Sequence, residues 1–367
     1  MRLTCSQKNL AAALVITSKA IATNNTLPVL GNVLLKAEGK KLFFTTTNLE
    51  IAIHYWIEAD VKNEGEITIP SRLLTNYVNY LKDEKIDLTV EDGEVIIVKS
   101  SDSTTRIKGI PAAEFHPIPT VEKESEVVLS VSDFKNAINQ VVFAASLNTT
   151  RPILSGVYFN VEKDTLKMVA TDSYRLAEKT LHVKRASGEI SCIIPARTLM
   201  EIAGVLDAGG EDNEITVVIS KNQVLFVFGE TQITSRLIDG QFPNYQQIIP
   251  TESKIKIDFN VHDLSMVLKR INIFAKENNN KIILRITKEG VVVTTDTTQY
   301  GGGEVVLAVE TKGGEGEIAL NSQYILDVLS NIGGNAVVFE VNEKTNPVVV
   351  KAIGKKDYTH IIMPLKV

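Results

Sequence analysis

Three tandem α+β units, each with two helices and a predominantly antiparallel sheet, are what this 367-residue sequence predicts. Two recurring strings carry the prediction. Ile67-Thr68-Ile69-Pro70-Ser71-Arg72-Leu73-Leu74 returns as Ile190-Ser191-Cys192-Ile193-Ile194-Pro195-Ala196-Arg197-Thr198-Leu199, and more faintly as Glu317-Ile318-Ala319-Leu320-Asn321-Ser322-Gln323-Tyr324-Ile325-Leu326. Thr47-Asn48-Leu49-Glu50 matches Thr171-Asp172-Ser173-Tyr174 and Thr295-Asp296-Thr297-Thr298, two steps of 124 residues. A repeat of that period marks duplicated domains, because solenoid units recur every 20 to 50 residues or so. The expected domains are residues 1–122, 123–249 and 250–367.

Each unit opens with a helix, expected over Leu10 to Lys19, Phe134 to Phe143 and Leu264 to Phe274. Leu10, Leu14 and Ile21 in the first, and Leu264, Val267, Leu268 and Ile271 in the third, fall at helical spacing. Strands follow over Val33 to Ala37 and Lys41 to Thr45, Gly156 to Val161 and Thr165 to Ala170, Lys281 to Ile286 and Val291 to Thr295, where β-branched residues alternate between turn residues. The Pro-containing element introduces a second helix at Ser71 to Leu81, Ala196 to Leu206 and Ser322 to Ile332. Closing strands are expected at Lys85 to Val90 with Glu94 to Lys99, Glu214 to Ser220 with Gln223 to Gly229, and Ala336 to Asn342 with Pro347 to Ile353. Asp92-Gly93 and Lys221-Asn222 supply turns.

No apolar run reaches membrane-spanning length, and the first residues lack the pattern of a secretion signal, so an intracellular location is expected. Two cysteines, Cys5 and Cys192, are read as separate thiols. A net charge of -5 argues against indiscriminate coating of nucleic acid, and no third of the chain is basic. Any positive surface must therefore be gathered on one face.

Catalytic patterns are missing. His54, His116, His182, His262 and His360 are scattered without metal-ligand spacing, and neither a nucleophile elbow nor a phosphate loop occurs. Gly301-Gly302-Gly303 is followed by Glu304 and reads as a turn. Asn48, Asp172 and Asp296 occupy equivalent places in separate domains, which suits local capping of backbone groups better than paired acid-base chemistry. The sequence therefore reads as a non-catalytic scaffold with no metal and no cofactor.

If equivalent helices share one side of equivalent sheets, three units form an arc with two free ends, and two copies satisfy both ends at once. Twelve helices about 10 Å across give a circumference of about 120 Å and an opening of roughly 28 Å. A duplex whose major groove is about 12 Å wide fits through it. One chain closed on itself leaves only about 9 Å. Lys8, Lys19, Arg72, Lys82, Lys135, Arg197, Lys269 and Arg270 are expected on the helices, with Lys276 just beyond one, where they would meet phosphates without reading bases. The residues alone also fit an interaction scaffold that does not encircle DNA.

Four further strings carry a family resemblance: Thr26-Leu27-Pro28-Val29-Leu30-Gly31-Asn32, Ala170-Thr171-Asp172-Ser173-Tyr174-Arg175-Leu176-Ala177, Gln241-Phe242-Pro243-Asn244-Tyr245, and the terminal Ile361-Ile362-Met363-Pro364-Leu365-Lys366-Val367. With them the whole chain resembles the bacterial DNA polymerase III beta subunits, the sliding clamps. The resemblance implies DNA-clamp domains in a six-domain homodimeric ring, helices inside and sheets outside, that encircles double-stranded DNA without sequence specificity. It also implies as partners the polymerase III alpha subunit, the clamp-loader delta subunit, and other replication and repair proteins bearing short Leu/Phe-containing peptides. The implied location is the cytoplasm, at replication forks on the bacterial chromosome.

By the same resemblance, the partner groove is lined by Leu154, Thr171, Ser173, Tyr174, Arg175, Leu176, Pro243, Gln247, Ile248, Ile361, Ile362, Met363, Pro364, Leu365 and Lys366. Leu154, Leu176, Ile248, Ile362, Met363 and Leu365 would receive apolar side chains of the peptide. Read from the residues alone, the terminal apolar run is an edge strand covering the third core. Ser173-Tyr174 stands where the best-known members have Gly-His, and Gln247 replaces an Arg. Asn24 stands in place of a DNA-contacting Arg, and Asn148 in place of a Gln. Ile107, Ile273 and Phe274 are implied at the dimer junction.

Overall fold

The computed structural model describes residues 1–22, 27–148, 150–208 and 213–366. The described residues form six α-helices: α1 (Gln7–Thr17), α2 (Ser71–Asn79), α3 (Val131–Val141), α4 (Ala196–Ala208), α5 (Val261–Ala275) and α6 (Ser322–Asn331). The first helix of each repeat starts at an equivalent cap. Oxygens of Ser6, Ser130 and Asn260 accept from the backbone N–H groups of Asn9, Asp133 and Asp263, satisfying donors that the first turn leaves free. Pro70 and Pro195 end a strand where α2 and α4 begin. At α6, Asn321 takes that place and caps Gln323 and Tyr324.

The helices bury one face each. α1 turns Leu10, Ala13, Leu14, Ile16 and Thr17 inward, and α5 turns Leu264, Val267, Leu268 and Ile271. Two expected positions fall outside: Ile21 lies beyond the short 3₁₀ turn Ser18–Ala20, and Lys82 lies past the end of α2. A strand also precedes each opening helix, at Arg2–Ser6, Ser125–Ser130 and Ile255–Asn260, where the reading began with the helix. With these strands the repeat is itself double. Each domain runs strand, helix and four strands, the fourth of them short, and then strand, helix and three strands.

By compactness the chain falls into two units, one of Met1–Lys135, Val183–Ile190 and Arg197–Leu237, the other of Asn136–His182, Ser191–Ala196 and Ile238–Val367. The central domain is split between them because hydrogen-bonded sheets run across the domain junctions. In the first unit a nine-stranded sheet joins five strands of the central domain to four of the first, through Thr231–Arg236 beside Ile51–Glu58. In the second unit another nine-stranded sheet joins five strands of the third domain to four of the central one, through Tyr358–Ile362 beside Arg175–His182. The remaining two sheets are a five, ending on Thr104–Lys108, and a four, ending on Glu304–Leu307.

Turn chemistry follows the residues. Asp92 and Gly93 both take positive φ, at 49° and 72°, as a two-residue hairpin turn requires. Ser220 N–H donates to Gln223 O around Lys221-Asn222, which needs no left-handed residue. Cys5 and Cys192 are free thiols, each pushed up to about 12 by burial.

Candidate functional site

The Thr171-Asp172-Ser173-Tyr174 string builds one corner of the expected groove. Thr171 Oγ1 donates to Arg175 O (2.7 Å) and accepts from Ser173 N, while Asp172 Oδ1 accepts from the N–H groups of Tyr174 and Arg175, both at 2.9 Å. Ser173 is thereby held at φ +78°, in the left-handed region. Thr47 and Asn48 make the same four bonds in the first domain, with Leu49 at φ +74°. Capping of backbone by Asn48 and Asp172 thus agrees with expectation. Asp296 departs from it: its carboxylate takes side chains instead, Asn278 Nδ2 at 2.7 Å and Lys281 Nζ at 3.2 Å.

Arg175 is engaged within the second unit. Its guanidinium pairs with Asp172 (3.0 Å) and with Asp327 of α6, and it lies over the rings of Tyr324 (4.5 Å) and Phe143 (5.5 Å). The side chain therefore ties the Thr171–Arg175 turn to α6. Tyr324 and Asp327 carry no signal in the sequence, because nothing in the α6 pattern distinguishes an Arg-binding Tyr and Asp from an ordinary helical surface. His360, its ring 5.5 Å from that of Phe143, is fully buried and among the described residues neither ring nitrogen has a hydrogen-bond partner; burial followed by the nearby Arg175 lowers its pKa to about 3.

The chain end closes the other side. Met363 N–H donates to Tyr174 O, and Leu365 N–H to Ala319 O, both at 2.8 Å. Tyr358–Ile362 is an internal strand, paired with Val348–Ala352 on one side and Arg175–His182 on the other, which corrects the reading of an edge strand. Leu176, Ile361 and Ile362 have no exposed surface and back the groove from behind, so they do not present themselves to a peptide. Leu154 and Thr171 are also buried. The open surface comes from Ser173, Tyr174 (61% exposed), Pro243, Gln247, Ile248 (41%) and Lys366, with Met363, Pro364 and Leu365 half-buried. Below it, Phe242 stacks on Tyr158 at 5.1 Å, and Tyr245 donates to Glu178 (2.5 Å); burial, and then this bond to Glu178, raises the tyrosine's pKa. The apolar part of this surface, Tyr174, Pro243 and Ile248 with the half-buried Met363, Pro364 and Leu365, suits desolvation of a peptide's hydrophobic side chains.

Lys8, Arg72, Arg197, Lys269 and Arg270 are exposed on helices, and Lys19 and Lys276 on the 3₁₀ turns that follow α1 and α5. Lys82 is exposed in a loop. None of these eight makes an ion pair among the described residues. Lys135 is half-buried and paired with Asp207 of α4, so its charge is already answered. Asn148 is exposed and turned back on its own loop, accepting from Thr150 N–H and Oγ1. Asn24 lies outside the described residues.

Of the three junction residues, Ile273 is 70% exposed on α5 and Phe274 is half-buried. Ile107 is 4% exposed and belongs to the core of its own domain, opposite Ile96. Alternation along Thr104–Lys108 turns its side chain into that core, which corrects the expectation that this side chain packs against a second copy.

Comparison with known proteins matches this architecture from end to end. Profiles of the DNA polymerase III beta subunit N-terminal, central and C-terminal domains match residues 1–119, 128–244 and 246–366. The chain is 30% identical over 388 residues to the beta sliding clamp of Synechocystis sp., covering 100% of this chain and 99% of that one. It is 32% identical over 373 residues to that of Synechococcus elongatus, with the same coverage. Among solved structures, the Thermotoga maritima DNA polymerase III beta subunit aligns with a TM-score of 0.94 at 25% identity, over 100% of this chain and 99% of that one. The griselimycin-bound clamp of Pseudomonas aeruginosa aligns at 0.95 and 28%, over 100% of both. Tandem domains, shared sheets and whole-length similarity together make this chain a member of the bacterial DNA polymerase III beta subunit family, the beta sliding clamps.

Proposed function

We propose that two copies of this chain join head to tail as a ring around duplex DNA and hold a replicative polymerase on its template. The chain is a DNA-encircling, non-catalytic processivity factor, and the catalysis belongs to the polymerase. One observation supports closure by two copies most directly. Both joined domain pairs put a five-stranded half beside a four-stranded half, and the free edges Thr104–Lys108 and Glu304–Leu307 are a five and a four still unjoined. Pairing them between copies makes a third sheet of nine and removes the exposed edges, which would otherwise template aggregation. Ile273 and Val306, both well exposed, lie on α5 and on that second edge.

In this reading the domains divide at 1–122, 123–249 and 250–367, and the unpaired cations on and beside the helices face the DNA. Weak, exchanging phosphate contacts permit sliding while the ring keeps the chain on its template, so encounters of an attached enzyme with DNA become effectively intramolecular. The groove around Tyr174, Ile248 and Met363 receives Leu/Phe-bearing peptides of the polymerase alpha subunit, the clamp-loader delta subunit and repair proteins. Gln247 offers no positive charge there, which favours apolar anchoring over acidic peptide ends. Among the described residues no helix is long and apolar enough to cross a membrane, and the working place we assign is the cytoplasmic replication fork.

Sedimentation velocity across a concentration series tests the assembly, and fluorescence anisotropy with a labelled Leu/Phe peptide tests the groove. Tyr174→Ala and Met363→Ala should each weaken the peptide about tenfold, as loss of an interface anchor does. Unchanged affinity in both variants would remove the groove from the account.

A further inference from the structure

The apolar cluster that seals the sheet junction of the second unit has a counterpart in the first, and there much of its bulk is missing. In the second unit Tyr158 faces Val169 and Val169 faces Glu178 across neighbouring strands, and Leu176 faces Ile361. Phe242 and Tyr245 of the interdomain linker pack onto this floor, Phe242 on the Tyr158 ring and the Tyr245 hydroxyl on Glu178.

The first unit repeats the layout with other residues. Leu34 faces Thr45, Thr45 faces His54, and Ala52 faces Thr234. The linker again brings a buried Phe, Phe115, onto the first of these positions, where it packs with Leu34. Three residues after that Phe, where the other linker has Tyr245, stands Ile118. Tyrosine has thus become leucine on the floor and isoleucine in the linker, Leu176 has become Ala52, and two aliphatic residues have become threonines. A cavity of about 440 Å³ remains between the floor and the linker, bordered by Pro117 and Pro119.

We propose that this cavity binds a small phenol-class molecule, its ring taking the place that Tyr245 fills at the other junction and its hydroxyl meeting His54. The volume falls within the roughly 300 to 1,000 Å³ typical of small-molecule sites. Ala52 and the linker prolines give apolar contact to a ring. Thr45 Oγ1 engages His54 Nδ1 at 2.9 Å, which leaves Nε2 for the ligand, and Gln232 lies directly across the strand pair. Burial, and then the charge of Lys36, lowers the pKa of His54, so a neutral imidazole meets the hydroxyl and a phenol suits it better than an aromatic carboxylate.

The site is independent of ring closure and of the peptide groove. Calorimetric titration of the full chain with p-cresol should saturate one site per chain, and toluene should bind at least tenfold more weakly. Ala52→Leu and Ile118→Tyr, which install the residues of the other junction, should each weaken p-cresol at least tenfold without lowering the unfolding midpoint. Tyr174→Ala, in the peptide groove, should leave p-cresol affinity unchanged. The proposal is overturned if p-cresol does not saturate, if both filling variants bind it as the unaltered chain does, if Tyr174→Ala abolishes binding, or if toluene binds equally well.

Discussion

Ser173 holds a conformation that costs an L-residue roughly 1 kcal/mol or more relative to glycine, and it does so because four hydrogen bonds from Thr171 and Asp172 fix the turn. Ser173→Gly should therefore raise unfolding stability by about 1 kcal/mol in urea denaturation; a fall would mean that the serine side chain supports the turn. His360 gives a pH signature. Its folded pKa of about 3 lies below the unfolded value of about 6.5, so its stabilising contribution is complete above pH 6.5 and declines as the pH falls toward 3. Stability should drop between pH 6.5 and 5 by up to about 1.4 kcal/mol per pH unit from this residue. His360→Leu should flatten that part of the profile, and an unchanged slope would place the titration elsewhere. Asn48 and Asp172 were legible as caps because short polar side chains beside a strand end have few other uses. The burial of His360 was not, since its neighbours Phe143 and Arg175 are distant in sequence and only the fold brings them together.

At the scale of elements, the six helices and most strands followed from apolar spacing and from the Pro-containing marker. The strands before α1, α3 and α5 escaped because each is short and leads directly into a capped helix, so the strand period is overwritten within a turn. Cross-domain pairing escaped for another reason: alternation tells which face of a strand is buried and says nothing of which edge meets which. For the same reason the terminal strand reads as an edge, whereas Ile107 is placed at the junction by the family resemblance. The free edge Glu304–Leu307 and the exposed Ile273 now carry the assembly argument. Ile273→Asp should weaken the dimer by roughly 30-fold, the effect of losing a 2 kcal/mol anchor, with the chain still folded by circular dichroism. A dimer of undiminished affinity would exclude α5 from the junction.

For the whole molecule, threefold repetition and the absence of a catalytic cluster were legible together, and they pointed to a tethering device. The cationic surface was less so, because Lys135 proves to be paired and Lys82 stands off its helix. If the remaining cations act collectively on phosphates, Arg72→Ala and Arg197→Ala should each lower the salt slope of DNA binding by about one, with the loss uniform across sequences. A sequence-dependent loss would indicate base contact instead. Encirclement itself is tested most directly by retention on DNA. The chain is loaded onto nicked circular plasmid with a bacterial clamp loader and ATP, isolated in moderate salt, and followed after a restriction enzyme opens the circle. The account predicts that the chain stays on the circle and is released on linearisation at unchanged salt; equal retention on circular and linear DNA, or release governed by salt alone, would contradict it.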